Sequence, residues 1–299
     1  MREKFLIAIL ITGAAYQMLP GASVQDAGAK AQQLTREARS ALGIEKLKSL
    51  SVKGDYRRKI GQLEMSGEIS YDILLPDKLM KTETMAPMPG IEITQIEALN
   101  GDGVWQDQQR HGGGGGMIMI RRSPGPSADP AKAQDMMRQI VRSDFARLLI
   151  GWLMTSPPSF PLEFSFAGEA ESPDGKADVL DVKGPDKFAM RLFLDQKTHY
   201  PLMLTYTGKK PRLMTQTAPP GKSPGNPEEM EKRMKDMDAE AAQQPDVEFR
   251  IYLSDYRQVD GVLFPHKLSR AIEDEVSEEI EIKNVKVNPQ IKPEKFVKK

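Results

Sequence analysis

Cysteine is absent from the 299-residue sequence, which removes disulfide frameworks, thiolate metal sites, a cysteine nucleophile and a lipid anchor on an N-terminal cysteine. Histidine is scarce. His111, His199 and His266 lie in separate segments with no HExxH or HxH spacing, so neither a metal nor any other cofactor is expected. Net charge is missing too: 42 basic and 42 acidic side chains cancel, which argues against a field strong enough to recruit nucleic acid. No GxSxG elbow occurs. The acidic pairs Asp255 with Asp260 and Glu278 with Glu279 read most simply as turn residues and solvent-face charges on strands, so catalysis is not expected.

Long apolar runs are also rare. Residues 5–19 form one, broken by Thr12 and Gln17, preceded by Met1-Arg2-Glu3-Lys4 and followed by Pro20-Gly21-Ala22-Ser23. A charged start, an apolar middle short of the roughly 20 residues that span a bilayer, and small residues at the end make a secretory signal. Cleavage after Ser23 is the first choice and after Ala29 the second, leaving one domain over 24–299.

What the chain has in abundance is alternation. Val247, Phe249, Ile251 and Leu253 alternate with polar residues, the period of two of a half-buried strand. Val259-Asp260-Gly261-Val262 supplies a hairpin turn. A strand returns through Phe264, and a third passes Val276, Ile280 and Ile282 before the apolar parity shifts to Val285 and Val287 near Asn284, as at a bulge. Earlier, Val52, Gly54, Tyr56 and Arg58 begin a strand, and Leu63 to Leu75 alternate cleanly up to Pro76-Asp77. Further strands are expected over 79–85, 91–99, 162–166, 177–182, 188–194 and 202–206, separated by Asp, Gly and Pro turns.

Helical spacing appears in three places. Ala31, Leu34, Ala38 and Leu42 share one face of a helix over 29–42, with Gly43 placed to stop it. Central helices are expected over 129–155. The first starts at Asp129-Pro130 with Met136, Met137, Ile140 and Val141; Ser143-Asp144 recaps a second with Phe145, Leu148, Leu149, Trp152 and Leu153. Two interruptions break the strand pattern. One is a Gly-rich flap over 110–128, with Gly112 to Gly116 and then Met117-Ile118-Met119-Ile120; it lacks the GK[ST] of a phosphate loop. The apolar run in it is open to a covered loop, a cavity or peripheral contact with a membrane surface. The other is a Pro/Met-rich insertion over 209–246, with Met230, Met234, Met237 and Ala241 at helical spacing. An amphipathic excursion over apolar surface is the simpler reading, a Cu(I)-binding thioether cluster the sharper one.

Several pieces resemble the LolA-like periplasmic lipoprotein carriers and outer-membrane lipoprotein-sorting proteins. They are residues 41–47, Leu75-Pro76-Asp77-Lys78-Leu79, Asn100-Gly101-Asp102-Gly103-Val104-Trp105, residues 194–202, residues 255–265, and residues 282–288 followed by Phe296. The resemblance implies a mainly β, α+β fold: a strongly curved antiparallel half-barrel of about 11 strands whose concave face is closed by helices over an apolar cavity. It implies a periplasmic protein binding a lipid or the acyl chains of a lipoprotein; a non-enzymatic monomer is expected. An envelope-stress sensor or interaction module that docks an envelope protein partner is the alternative. The family's lid-holding Arg before the strand-ending Pro is here Leu75.

A curved sheet too wide to fill with its own side chains needs lid helices, and both parts then line the space. The expected ligand-binding residues are Met65, Ile69, Tyr71, Phe164, Phe166, Met190, Leu204 and Phe249 on the wall. Met137, Val141, Leu148 and Trp152 are expected on the lid. Each of these also suits ordinary core packing.

Overall fold

Alternation of apolar and polar residues builds most of the molecule. The computed structural model describes residues 24–298 except 62, 89, 113–115, 122–129, 174, 218–231, 233–235, 237–238 and 240–242. The signal segment and the Met230-Met234-Met237-Ala241 stripe therefore lie outside the described residues.

In chain order the elements are α1 (Val24–Leu42), β1 (Ser49–Ile60), β2 (Leu63–Leu74), β3 (Lys78–Met88), β4 (Ile91–Asn100), β5 (Gly103–His111) and β6 (Gly116–Arg121). Then come α2 (Pro130–Leu153), β7 (Glu163–Ser172), β8 (Gly175–Lys183), β9 (Ala189–Asp195), β10 (Pro201–Gly208) and β11 (Arg212–Thr217). The chain closes with β12 (Val247–Val259), β13 (Val262–Ile272), β14 (Glu275–Val287) and a 3₁₀ turn, Pro293–Phe296. Twelve strands form one antiparallel sheet in the order β5-β4-β3-β2-β1-β14-β13-β12-β10-β9-β8-β7, open at both ends, while β6 and β11 pair as a separate ribbon.

The ribbon joins the two interruptions of the sequence pattern. Residues of the Gly-rich flap pair with residues of the Pro/Met-rich insertion, Gly116 opposite Thr217 and Arg121 opposite Arg212.

The turns and shifts follow the sequence. Asp260 and Gly261 take φ of 47° and 86° between the paired residues Val259 and Val262, the two-residue turn that an Asp-Gly dipeptide favours. The parity change near Asn284 is a bulge: Lys53 pairs with Asn284, but the next residue, Gly54, pairs with Ile282. Here β1 and β2 come unusually close to their neighbours. A Cβ on Gly54 would sit 2.3 Å from the Glu281 carbonyl oxygen, and one on Gly67 would sit 2.0 Å from that of Thr84. Bulges and such glycines are the devices by which a sheet bends.

The bend is large. One small cavity is lined by residues of β4 and of β10, which stand seven places apart in the sheet order. At about 4.8 Å per strand spacing a flat sheet would hold them about 34 Å apart. Only a wall curled toward itself brings them together, as in the expected half-barrel.

Both helices pack against strands of this sheet. α1 buries Ala31, Leu34, Ala38 and Leu42 completely, as their spacing requires, and packs on β7 and β13. It starts five residues earlier than the spacing predicts. Its end is fixed by bonds from the Gly43 and Ile44 amides to the Ser40 and Arg39 carbonyls. α2 is a single helix, so the predicted recap at Ser143-Asp144 does not occur: Asp144 lies within the helix and pairs instead with Arg147, 3.1 Å away. Residues from Val141 onward pack inward, whereas residues before it are mostly exposed. Arg39 of α1 donates to the Met154 carbonyl just past the end of α2 at 3.2 Å, a cation placed where the helix dipole ends negative. Among the described residues no helix is long and apolar enough to cross a membrane.

Candidate functional site

The site grows out of the two faces that meet under α2. From the helix, Phe145, Leu148, Gly151 and Trp152 point at the wall, a run at helical spacing. From the wall, Leu204 of β10, Ile251 and Leu253 of β12, Leu268 of β13 and Ile280 of β14 form an apolar side. The approach is close: a Cβ on Gly151 would lie 3.1 Å from Leu204 Cδ1 and 3.3 Å from Leu253 Cδ1. Trp152, 1% exposed, is wedged edge-on between the Tyr71 and Phe264 rings, each with centroids 4.9 Å from its own. Between helix and wall remains a cavity of about 60 Å³, room for about four water molecules.

The opposite side of this cavity is ionic, lined by Lys81, Glu83, Glu97, Arg270 and Glu278, with Arg58 paired to two of them from outside the lining. Arg58 of β1, 7% exposed, presents its fork to Glu83 of β3, with Nη2 and Nη1 at 2.7 and 3.2 Å from the two carboxylate oxygens. Its Nε donates to Glu278 of β14 at 2.7 Å. Lys81 Nζ lies 2.6 Å from Glu83 and 3.6 Å from Glu97 of β4, and Arg270 of β13 lies 3.3 Å from Glu278. Asp144 and Arg147 complete the set from α2, the Arg147 guanidinium carbon lying 3.9 Å from the Tyr206 ring centroid. Four cations therefore face four anions.

Burial opposes ionisation of Glu278, but Arg58 and Arg270 outweigh it and hold the carboxyl down to about 2. Arg58 and Arg270 are themselves raised above the ordinary arginine range: burial opposes their charge, but the facing carboxylates, and Tyr206 beside Arg270, outweigh it. Burial, helped by the charges of Glu83 and Glu278, pushes the Tyr71 phenol well up, so it stays neutral. Three buried donors on residues lining the cavity, Trp152 Nε1, Arg147 Nε and Arg270 Nε, find no acceptor among the described residues.

Of the twelve residues expected to line a ligand site, Tyr71, Leu204, Leu148 and Trp152 meet at this cavity. Met65, Ile69, Met190 and Val141 are buried in the surrounding core, and Phe249 stacks on Tyr206 with ring centroids 4.9 Å apart. Phe164 and Phe166 sit half-buried on the edge strand β7, and Met137 is 43% exposed on the outer half of α2.

The ionic residues are not among those the sequence reading singles out, and that reading sets Glu278 with Glu279 on the solvent face. Glu278 is buried, whereas Glu279 is exposed beside Lys267. A signal existed. Arg58 shares parity with Val52 and Tyr56, Glu83 with Leu79 and Met85, and Glu278 with Ile280 and Ile282. A charge on the core parity of a strand marks a buried ionic group. The other acidic pair holds no site: Asp255 is bound by Arg257, and Asp260 is the turn residue. Among the described residues no group of three or more His, Asp or Glu is arranged to hold a metal ion.

No protein-family model and no curated protein matches the chain. Among solved structures it is similar to a putative outer membrane lipoprotein-sorting protein domain from Vibrio parahaemolyticus, at 11% identity and TM-score 0.47, covering 90% of this chain and 97% of that one. A DUF1329 family protein from Desulfovibrio piger shares 9% identity at TM-score 0.46, covering 89% and 97%. A LolA superfamily protein from Nitrosomonas europaea shares 10% identity at TM-score 0.42, covering 90% and 97%. Two of these names, the first and the third, use the family words of the resemblance given above.

Proposed function

We propose that this is an exported periplasmic binding protein, a non-enzymatic carrier that holds the hydrocarbon of a lipid or acylated protein against the wall beneath α2. The observation that carries the reading is the apolar side of the cavity: four strands contribute Leu204, Ile251, Leu253, Leu268 and Ile280, and the inner half of a single helix covers them. Hydrocarbon gains about 0.8 kcal/mol for each methylene withdrawn from water. A long chain therefore needs no charged contact to be held. At about 60 Å³ the cavity is too small for such a chain, so loading requires α2 to swing outward. The proposal includes export through residues 1–23, action as a monomer, and neither nucleic acid nor a cofactor.

Trp152 provides the test. In a Trp105→Phe protein Trp152 is the sole tryptophan, and a brominated C16 acyl ester should quench its emission saturably. Native mass spectrometry of the protein from its own envelope should show a co-purified lipid. Absence of both signals sinks the carrier reading.

The β6–β11 ribbon favours a second reading, an interaction module that docks an envelope protein, because it ties the two insertions together outside the main sheet. Deleting residues 209–246 separates the two: a module loses its partner, and a carrier keeps its quenching.

A further inference from the structure

Resting on the carrier reading, we infer that the cavity selects hydrocarbon chains ending in a neutral hydrogen-bond acceptor, an ester or amide carbonyl, over chains ending in a free carboxylate. The inference starts from Trp152 Nε1, Arg147 Nε and Arg270 Nε. All three are buried donors without an acceptor among the described residues, and all belong to side chains lining one cavity. Trp152 is almost wholly shielded from solvent. A buried donor left unmatched costs about 1–3 kcal/mol. The three nitrogens are shielded while α2 is seated, and the outward swing that loading requires opens them to an acceptor entering the space.

Charge decides which acceptor fits. The cations Arg58, Lys81, Arg147 and Arg270 are already matched by Glu83, Glu97, Asp144 and Glu278. An entering carboxylate would be a fifth anion. It would compete with Glu278 for Arg270, which lies 3.3 Å from that partner, and would face Glu83, which is 2% exposed. An added charge without its own counter-ion is expensive in a buried setting. A carbonyl oxygen accepts the same donors and leaves the ionic set undisturbed. The two sides of the cavity then divide the ligand: the apolar side on β10, β12, β13 and β14 takes the chain, and the donors take its carbonyl.

The experiment is displacement of a neutral hydrophobic dye from the full chain at pH 8. The competitors are four C14 compounds: monomyristin, myristamide, myristic acid and tetradecane. The ester and the amide should each compete at least tenfold more tightly than either the acid or the alkane. Trp152→Phe removes one donor, and Arg270→Lys keeps the charge beside Glu278 while removing Nε–H. Each variant should shrink the ester-to-alkane ratio several-fold, whatever it does to alkane displacement itself, because loosened packing alone weakens both competitors alike. Equal binding of acid and ester overturns the selectivity and leaves the carrier reading intact. An ester-to-alkane ratio that both variants leave unchanged overturns the role of the donors. Failure of the dye and all four compounds to bind overturns the carrier reading itself.

Discussion

Arg58 ties three strands together from within the interior. It links carboxylates from β3 and β14 to β1, and its fork is saturated by them. Removing one partner of a buried ionic set costs about 3–5 kcal/mol because the others are left unpaired. Arg58→Met should lose that much in urea denaturation, and a change below about 1 kcal/mol would mean that the pairs are screened. The same variant should alter the response to acid. The Glu278 carboxyl is held down to about 2 from the ordinary glutamate value of 4.5, so its contribution is present above about pH 4.5 and fades as pH falls toward 2. Without Arg58 that fall should be shallower. The sequence shows Arg58 at a core parity but not its partners: Glu278 is 220 positions away, and strand order, which no local pattern encodes, decides who faces whom.

α2 shows the same division. Its two stripes and its stop at the prolines are readable from spacing. Its continuity through Ser143-Asp144 is not, because Asp144 gains Arg147 as an intrahelical partner and has no cap to make. Which half packs is also unreadable, since Met136, Met137 and Ile140 are as apolar as the residues that follow and remain at least partly exposed. At Gly151 the helix lies close to the wall, with no room for a Cβ beyond tight contact with Leu204 and Leu253. Gly151→Val should push α2 away from Leu204 and Leu253, raising hydrogen exchange over 145–153 while α1 keeps its protection. Unchanged exchange at 145–153 would show that the wall yields instead.

At the scale of the whole molecule, the alternating strands, their turns and the bulge near Asn284 were legible because each is written in local pattern. The curvature was expected only through the resemblance, and the ribbon of β6 and β11 was not foreseen. Both depend on contacts between segments far apart in the chain. The insertion carrying β11 leaves the sheet at one point: Gly208 and Val247 face each other as the last pair of β10 and β12, and Lys209 hydrogen-bonds the Gln244 carbonyl. Replacing residues 210–245 with a short Gly/Asn turn should therefore leave the twelve-stranded sheet folded, with the thermal midpoint within a few degrees of the parent. A collapse of the near-ultraviolet circular dichroism would instead make the insertion part of the core.

The ionic cluster also settles which part of the molecule yields. It rivets β1, β3, β4, β13 and β14 together beside the bulge and the two glycines where the sheet bends. Uncurling that wall would strip buried ions of their counterparts. Tilting the helix outward breaks apolar contacts, the bond from Arg39 and the Arg147 contact with the Tyr206 ring, and it draws Asp144 away from Arg270, but it leaves the Arg58, Glu83 and Glu278 pairs intact. On the carrier proposal, the wall is then the stiff part of the molecule, and any breathing that admits cargo belongs to the cover.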